Sequence, residues 1–481
     1  MSICKRVIAR LDIKGTKLIK GIRFEGVRVI SNAYEAAKNY AECGIDEIFY
    51  SDAVASLYER NSLDGLLKQT CKEVFVPITA GGAIRSVQDG RKLLLSGADK
   101  LAINSAAVKN PELINDLANA FGSQCVTVSI QARKSYSSAG WDVMIESGRE
   151  RSDKDLLSWI KEVQSRGAGE IIVTSVDNDG IGEGTDHDLI NAVIPFVNIP
   201  LIVGGGISSS EEVTSIFKKQ PMISGVSIGW GFHSSLLNIE NAHKAIKNAN
   251  CAVKKNTLIK VNYFNNALDV VIADYSMGNV ESLINALRKI GIKPILSSDK
   301  SKIEAADLLI LPGVGAFPEG MRKLREKNLL EPILERAIKN KAILGICLGM
   351  QLLFEKSEEY KLSEGLGIIE GRITKLSTKS ANNTPLPLPH IGWNKLIYNK
   401  KFKTKDLDLF DSVYQYFVHS YGLIIKNHNP KNLLFNSFYG ENNFVSGIKK
   451  NNIIGFQFHP ERSGEMGLTL LKKAIELITK I

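Results

Sequence analysis

The sequence predicts an α/β protein in two parts: a (β/α)8 barrel over residues 1–250 and, after a linker at 251–268, an open α/β domain over 269–481. Three observations carry this. Eight short β-rich apolar runs alternate with helical stretches through the first part, the number and the span (about 250 residues) of a closed barrel. The runs repeat halfway along, as a doubled half-barrel would. A second alternation of strands and helices then starts at LDVVIADYSMGN (268–279).

The eight runs are VIARLDI, EIFYSDAV, VFVPITAGG, KLAINSAAV, CVTVSIQA, EIIVTSVD, PLIVGGGI and GVSIGWGF. Within them VIARLDIKG (7–15) matches TVSIQARK (127–134), and EIFYSDAV (47–54) matches EIIVTSVDNDG (170–180). PITAGGAIRS (77–86) matches PLIVGGGISS (200–209), and KLAINSAAV (100–108) matches GVSIGWGFH (225–233). Such a doubling places related sites about a pseudo-twofold axis. The stretch CAVKKNTLIKVNYFNNAL (251–268) is polar, Asn-rich and without clear period, hence a linker. Strand-like runs follow at LLILPGVGAF (308–317), AILGICLGM (342–350) and IIGFQFHPE (453–461).

Composition narrows the function classes. With 44% hydrophobic and 23% charged residues the chain reads as a soluble globular protein, and its 481 residues exceed one core. No apolar run reaches the ~20 residues of a membrane span, and the N-terminus lacks a signal-peptide pattern, so a cytoplasmic location is expected. Six scattered cysteines form no CxxC pair and no zinc-spaced cluster, so neither a disulfide framework, a metal nor a cofactor is expected. The net charge of +10 is spread thinly over lysines without a basic, aromatic-laced stripe, which argues against nucleic acid and fits phosphorylated small molecules.

In KAILGICLGMQLLFE (341–355) a buried-strand pattern turns sharply into an amphipathic helix, and Gly-Ile-Cys347-Leu-Gly fits a nucleophile elbow. The helix N-terminus beneath it favours a thiolate. In FQFHPE (456–461), His459 is a candidate base and Glu461, two residues on, can fix its tautomer. LPGVGAF (311–317) ends a strand in a loop whose amides, at Gly313, Val314 and Gly315, are candidates for an oxyanion hole.

Together these motifs resemble the class I glutamine amidotransferases, and in particular the glutaminase of imidazole glycerol phosphate synthase. The likeness covers 269–481 and includes DYSMGN, GLGIIEG, PHIGWN, VHSYG and GFQFHPERSG. It implies a flavodoxin-like domain in which Cys347 attacks the glutamine amide, His459 moves the protons and Glu461 orients it. Gln351, Ser420 and Tyr421 would hold the substrate.

The barrel resembles the cyclase half of the same synthase along its length, so the chain reads as a fusion. The resemblance implies an ammonia conduit along the barrel, gated by Arg6, Glu47, Lys100 and Glu170, each standing at the start of a strand. It also implies two catalytic aspartates at the ends of the first and fifth strands. Asp12 matches one; the other falls on Gln131, and an amide neither gains nor loses a proton near neutral pH. Phosphate contacts are implied at Gly82, Asn104 and Ser105 in the first half, and at Asp179, Gly180, Gly205 and Gly206 in the second. Ile181 replaces a hydroxyl residue, and Trp230 stands where a small one is expected.

These departures, with DAVASLYERN (52–61), resemble the barrels that accompany acetamidino-sugar modification, in which a separate ATP-dependent amidotransferase takes the ammonia. The expected function is therefore glutamine hydrolysis supplying ammonia for sugar amidation. The alternatives are a bifunctional synthase of histidine biosynthesis acting on a phosphorylated, nucleotide-like acceptor, and an inactive regulatory or scaffolding homologue.

Overall fold

The computed structural model describes residues 3–53, 63–82, 84–136, 140–255, 264, 268–379, 385–402, 406–425 and 431–480. Ala83, residues 54–61 of DAVASLYERN and most of the expected linker lie outside these. The chain divides into two compact units, one of Ser2–Lys254 with Pro387–Gly392, the other chiefly of Lys255–Leu386 and Trp393–Ile481.

In the first unit the strands are β1 (Arg6–Lys14), β2 (Lys17–Ile22), β3 (Glu25–Asn32), β4 (Glu47–Asp52), β5 (Ile78–Gly81), β6 (Lys100–Ile103), β7 (Val126–Lys134), β8 (Trp141–Ile145), β9 (Glu150–Asp155), β10 (Glu170–Ser175), β11 (Leu201–Gly204) and β12 (Gly225–Ile228). Eight of them, β1, β4–β7 and β10–β12, run parallel, and β7 pairing with β10 closes the barrel. Their continuous apolar runs are buried on both faces, as parallel barrel strands must be.

The internal repeat extends to the helix starts. Ser86 accepts from the Asp89 N–H at 3.1 Å and Ser209 from the Glu212 N–H at 3.2 Å, so both PITAGGAIRS and PLIVGGGISS end on a capping serine. It extends also to two features absent from the strand pattern. β1 runs on into the antiparallel hairpin β2–β3, and β7 into the antiparallel pair β8–β9. One expected strand is shorter than expected: GVSIGWGF ends at Ile228, and Trp230 opens a short helix, Trp230–His233.

The second unit holds an eight-stranded sheet. Its parallel part begins with β13 (Val270–Ala273), β14 (Ile295–Ser297), β15 (Leu308–Leu311) and β16 (Ala342–Ile346), and includes the strand Ile453–Phe456. The order β14-β13-β15-β16 followed by Ile453–Phe456 is the flavodoxin-like 2-1-3-4-5. Antiparallel strands Asn442–Lys450, Leu433–Tyr439 and Ile397–Tyr398 extend it. A core that includes Val271, Leu309, Ile343, Leu352 and Phe354 packs between sheet and helices. Among the described residues no helix is long and apolar enough to cross a membrane.

Candidate functional site

Three neighbouring strands of the second unit, β15, β16 and Ile453–Phe456, deliver their carboxyl ends to one place. Cys347 follows β16 with φ 51° and ψ −105°, a strained conformation for a residue with a side chain. The flanking glycines make the turn possible. A Cβ on Gly349 would sit 1.9 Å from the Leu311 oxygen, and one on Gly345 would sit 2.8 Å from the Gly349 backbone. The Cys347 N–H donates to the Phe456 oxygen at 2.6 Å, tying the elbow to the strand that leads to His459.

His459 and Glu461 are buried, with imidazole Nδ1 at 2.7 Å from Glu461 Oε1. Nδ1 thus carries the proton, and Nε2, buried and without a partner of hydrogen-bond geometry, is left for the thiol side. Burial opposes the imidazolium, but Cys347 and Glu461 outweigh it and raise the His459 pKa well above its ordinary value. Gln457, which the sequence motifs did not single out, sets Nε2 at 3.6 Å from Cys347 Sγ.

The Gly313–Gly315 loop lies against the nucleophile turn, since a Cβ on Gly313 would be 2.7 Å from Leu348 Cβ. The Leu348 N–H, first amide after Cys347, faces the Gly313 oxygen at 3.4 Å. Gln351 Nε2 donates to the Tyr421 oxygen at 2.9 Å and to Gln457 Oε1 at 3.0 Å. Ser420 adjoins them, its carbonyl accepting from the Leu376 N–H at 2.9 Å. One more group belongs here that sequence reasoning missed. The Glu359 carboxylate accepts from the Phe317 N–H at 2.7 Å, beside Tyr421, and burial pushes its pKa up to about 7.

In the barrel, alternate residues of β1 rise through the interior: Arg6, Ile8, Arg10, Asp12. Arg6 pairs with Glu47 at 2.9 Å and with Glu170, while Lys100 pairs with Glu47 at 2.6 Å and Glu170 at 2.5 Å. The four side chains, at most 1% exposed, close a ring. Burial works against the Glu170 carboxylate, but Arg6 and Lys100 prevail and hold its pKa well below the usual range. Above the ring lies an apolar layer of Ile8, Phe49, Ala102, Ile172 and Ile202.

Arg10 comes next, its guanidinium 5.8 Å from the Phe49 ring centre and 5.1 Å from that of Phe24, with Nη1 donating to Thr174 Oγ1 at 3.0 Å. Arg10 Nε and Lys20 Nζ each donate to the Asp12 carboxylate at 2.9 Å, and Lys20 also reaches Asp179 at 2.5 Å. Burial disfavours the charge on Asp12, yet the two cations overcome it and hold its pKa far below the ordinary value. The Asp179 side chain therefore belongs to this charge network.

Gln131 is brought to the same end of the barrel. It lines a cavity of about 290 Å3 with Gly82, Asn104 and Ser105; Asp12 lines a hollow of about 20 Å3 beside Phe24, and Ser147 lines both. In the second half the backbone of Gly180, Gly205 and Gly206 is crowded by the chain itself. Cβ atoms there would meet the oxygens of Gly21 at 2.3 Å, Ser175 at 2.5 Å and Gly184 at 1.9 Å. The Trp230 indole lies near Gly182, 3.6 Å from where its Cβ would be. Among the described residues no cluster of His, Cys, Asp and Glu is placed to hold a metal ion.

Residues 6–238 match the family described as "Histidine biosynthesis protein", and residues 271–477 match "Glutamine amidotransferase class-I". The barrel is similar to the imidazole glycerol phosphate synthase subunit HisF of Legionella pneumophila, 50% identical over 207 residues, which are 43% of this chain and 97% of that protein. The HisF subunit of Lactococcus lactis subsp. cremoris (strain SK11) is 46% identical over 217 residues, 45% of this chain and 84% of that protein. That of Streptococcus sanguinis (strain SK36) is 38% identical over 250 residues, 52% of this chain and 98% of that protein.

Proposed function

Because the chain belongs to the imidazole glycerol phosphate synthase family, its cyclase-type barrel fused to a class I glutamine amidotransferase domain, we propose that it makes ammonia from glutamine for a separate sugar-amidating enzyme. The observation that carries this reading is the state of the two groups a cyclase would use. Asp12 is clamped between Arg10 and Lys20, and the corresponding position at the end of β7 is an amide, Gln131. A carboxylate held ionised by two buried cations is a poor proton acceptor and no proton donor, and Gln131 is neither.

The glutaminase half keeps its chemistry. The Cys347 thiolate attacks the amide carbon, and the Leu348 N–H exchanges the Gly313 oxygen for the forming oxyanion. The His459 imidazolium protonates the departing amine, so ammonia leaves and a thioester remains. Water then attacks with His459 as base, releasing glutamate and restoring the thiolate, while Glu461 holds the ring. Glu359 suits the α-ammonium of glutamine. The charged ring of Arg6, Glu47, Lys100 and Glu170 with its apolar layer suits the passage of a small neutral molecule.

A second reading, a histidine-pathway synthase, is favoured by the persistence of the ring and of the Asp12–Lys20–Asp179 set. An inactive scaffold is disfavoured by the assembled Cys347, His459 and Glu461. The test supplies ammonium salt at high pH with the family's ribulosyl aminoimidazole carboxamide nucleotide and measures imidazole glycerol phosphate. No turnover, together with glutamate release that Cys347→Ala abolishes, is expected. Turnover lost in Asp12→Asn would establish the synthase instead, and absence of glutaminase activity under all conditions would favour the scaffold.

A further inference from the structure

The Cys347 thiol has a neighbour whose orientation is dictated by its partners. Gln457 directly follows the strand Ile453–Phe456, is fully buried, and spends its backbone N–H on the Ser446 oxygen at 3.0 Å. Its side-chain amide is engaged at both ends. Oε1 accepts from Gln351 Nε2 at 3.0 Å, and Nε2 stands 3.6 Å from Cys347 Sγ. A carboxamide can be turned over, so the end that meets the sulfur follows from the network around it.

A backbone carbonyl settles it. The Tyr421 oxygen can only accept, and Gln351 faces it at 2.9 Å, so the facing atom of Gln351 is its NH2. The same NH2 faces Gln457, whose near atom is therefore the oxygen. The far atom, against the sulfur, is then an NH2. His419 Nδ1 lies 2.8 Å from the Tyr421 oxygen as well, so that acceptor is held from two sides. Turning Gln457 over would set two NH2 groups against each other. An N–H so placed bonds a thiolate more strongly than a thiol, since hydrogen bonds to an ionised partner are roughly twice as strong.

We propose that Gln457 is a catalytic residue of the glutaminase, a fixed neutral donor that favours the Cys347 thiolate and receives the sulfur as it leaves carbon. This deepens the glutaminase reading and rests on it. In thioester hydrolysis water adds to the acyl carbon and gives its proton to His459. The tetrahedral intermediate then collapses, and the C–S bond breaks with its electron pair going to Sγ, where the Gln457 N–H meets the charge. The ionisable groups around the thiol are His459, backed by Glu461 and with His419 behind it, and Tyr275, whose hydroxyl donates to the Pro312 oxygen. Unlike His459, the amide offers the same donor at every pH.

The test follows alkylation of Cys347 by iodoacetamide in the full chain as a function of pH, read on the Cys347 peptide by mass spectrometry, beside glutamate release. Gln457→Met is expected to move the midpoint of labelling up by about one pH unit, the size of a hydrogen bond to a charged group. It should also lower kcat about tenfold with little change in KM. Gln351→Met, which frees the Gln457 amide to turn over, should move the midpoint the same way by less. That variant carries the test if thermal melting shows that Gln457→Met does not fold. Glutamate release that Cys347→Ala abolishes, with the midpoint unmoved in the variants, would overturn this proposal and leave the glutaminase standing. A lowered melting temperature with an unmoved midpoint would make Gln457 a structural tie between strand and helix, and no labelling of Cys347 at neutral pH would equally reject it as a thiolate donor. A chain that released no glutamate under any condition would overturn both.

Discussion

Deleting the guanidinium that holds Asp12 tests the proposed silencing of cyclase chemistry directly. Arg10→Met keeps an apolar stem between Phe24 and Phe49 and removes one of the two cations 2.9 Å from the Asp12 carboxylate. Lys20 remains but is shared with Asp179, so the Asp12 pKa should rise back toward the carboxylate range. Gln131→Asp would supply the second carboxyl. One well-placed acid or base is worth about 10²–10⁴-fold in rate. In the ammonium-driven assay the natural protein is therefore expected to give no product and Gln131→Asp a trace. The double variant should exceed Gln131→Asp by about tenfold or more.

Stability supplies an independent reading of the same clamp. Removing one partner of a buried pair costs about 3–5 kcal/mol, and here Lys20 retains part of the interaction, so about 2–4 kcal/mol is expected for Arg10→Met in urea unfolding. A carboxyl with a depressed folded pKa stabilises above its unfolded value, about 3.9, and that contribution disappears as the pH falls through the folded value. Arg10→Met should therefore flatten the acid limb of the stability profile. If Gln131→Asp alone reached the rate of the double variant, or Arg10→Met changed neither stability nor its acid dependence, Arg10 would not be what silences Asp12.

The glutaminase and the ring give further tests. Glu461→Gln should lower kcat for glutamate release by about 10²–10⁴-fold with little change in KM, because it removes the group that orients His459 and not one that binds substrate. Glu359, whose pKa is pushed up to about 7, should make kcat/KM for glutamine rise with pH through that value, and Glu359→Gln should remove the rise. Because its folded pKa lies above the unfolded one, ionising it costs stability from about pH 4.3 up to 7; Glu359→Gln should accordingly gain stability relative to the natural protein at pH 8 but not at pH 4. Glu170→Gln leaves Arg6 and Lys100 sharing Glu47 alone, and a loss of about 3–5 kcal/mol in denaturant unfolding is expected; no loss would mean that water reaches the ring.

The features legible in the sequence were those that burial forces into a pattern. Each of the eight barrel strands is a near-continuous apolar run because helices cover one face and the barrel core the other. The motifs around Cys347 and His459 are legible because each occupies a few residues at the end of such a strand. The β2–β3 hairpin left no such mark: all eight residues of β3 are exposed, so no alternation records its pairing. Strand β9, ERSDKD, is silent because it is polar throughout and carries no apolar alternation. The repeat itself could have revealed that whatever follows β1 has a counterpart after β7.

The site residues that were missed divide along the same line. Gln457 was within reach, two residues before His459 and so on the same side of an extended chain. Glu359 was not, because nothing local distinguishes a loop carboxyl that tertiary packing later buries against the Phe317 amide. Arg10 is the instructive case. It interrupts VIARLDI with a charge exactly one pleat from Asp12, and a cation at an interior position of a barrel strand must find an anion nearby. The amide at Gln131 and the cation at position 10 bear on the same proposed loss of proton transfer. When one carboxylate of a proton-transferring pair is lost, nothing requires the other to titrate, and a permanent positive charge can settle beside it and fix it as structure.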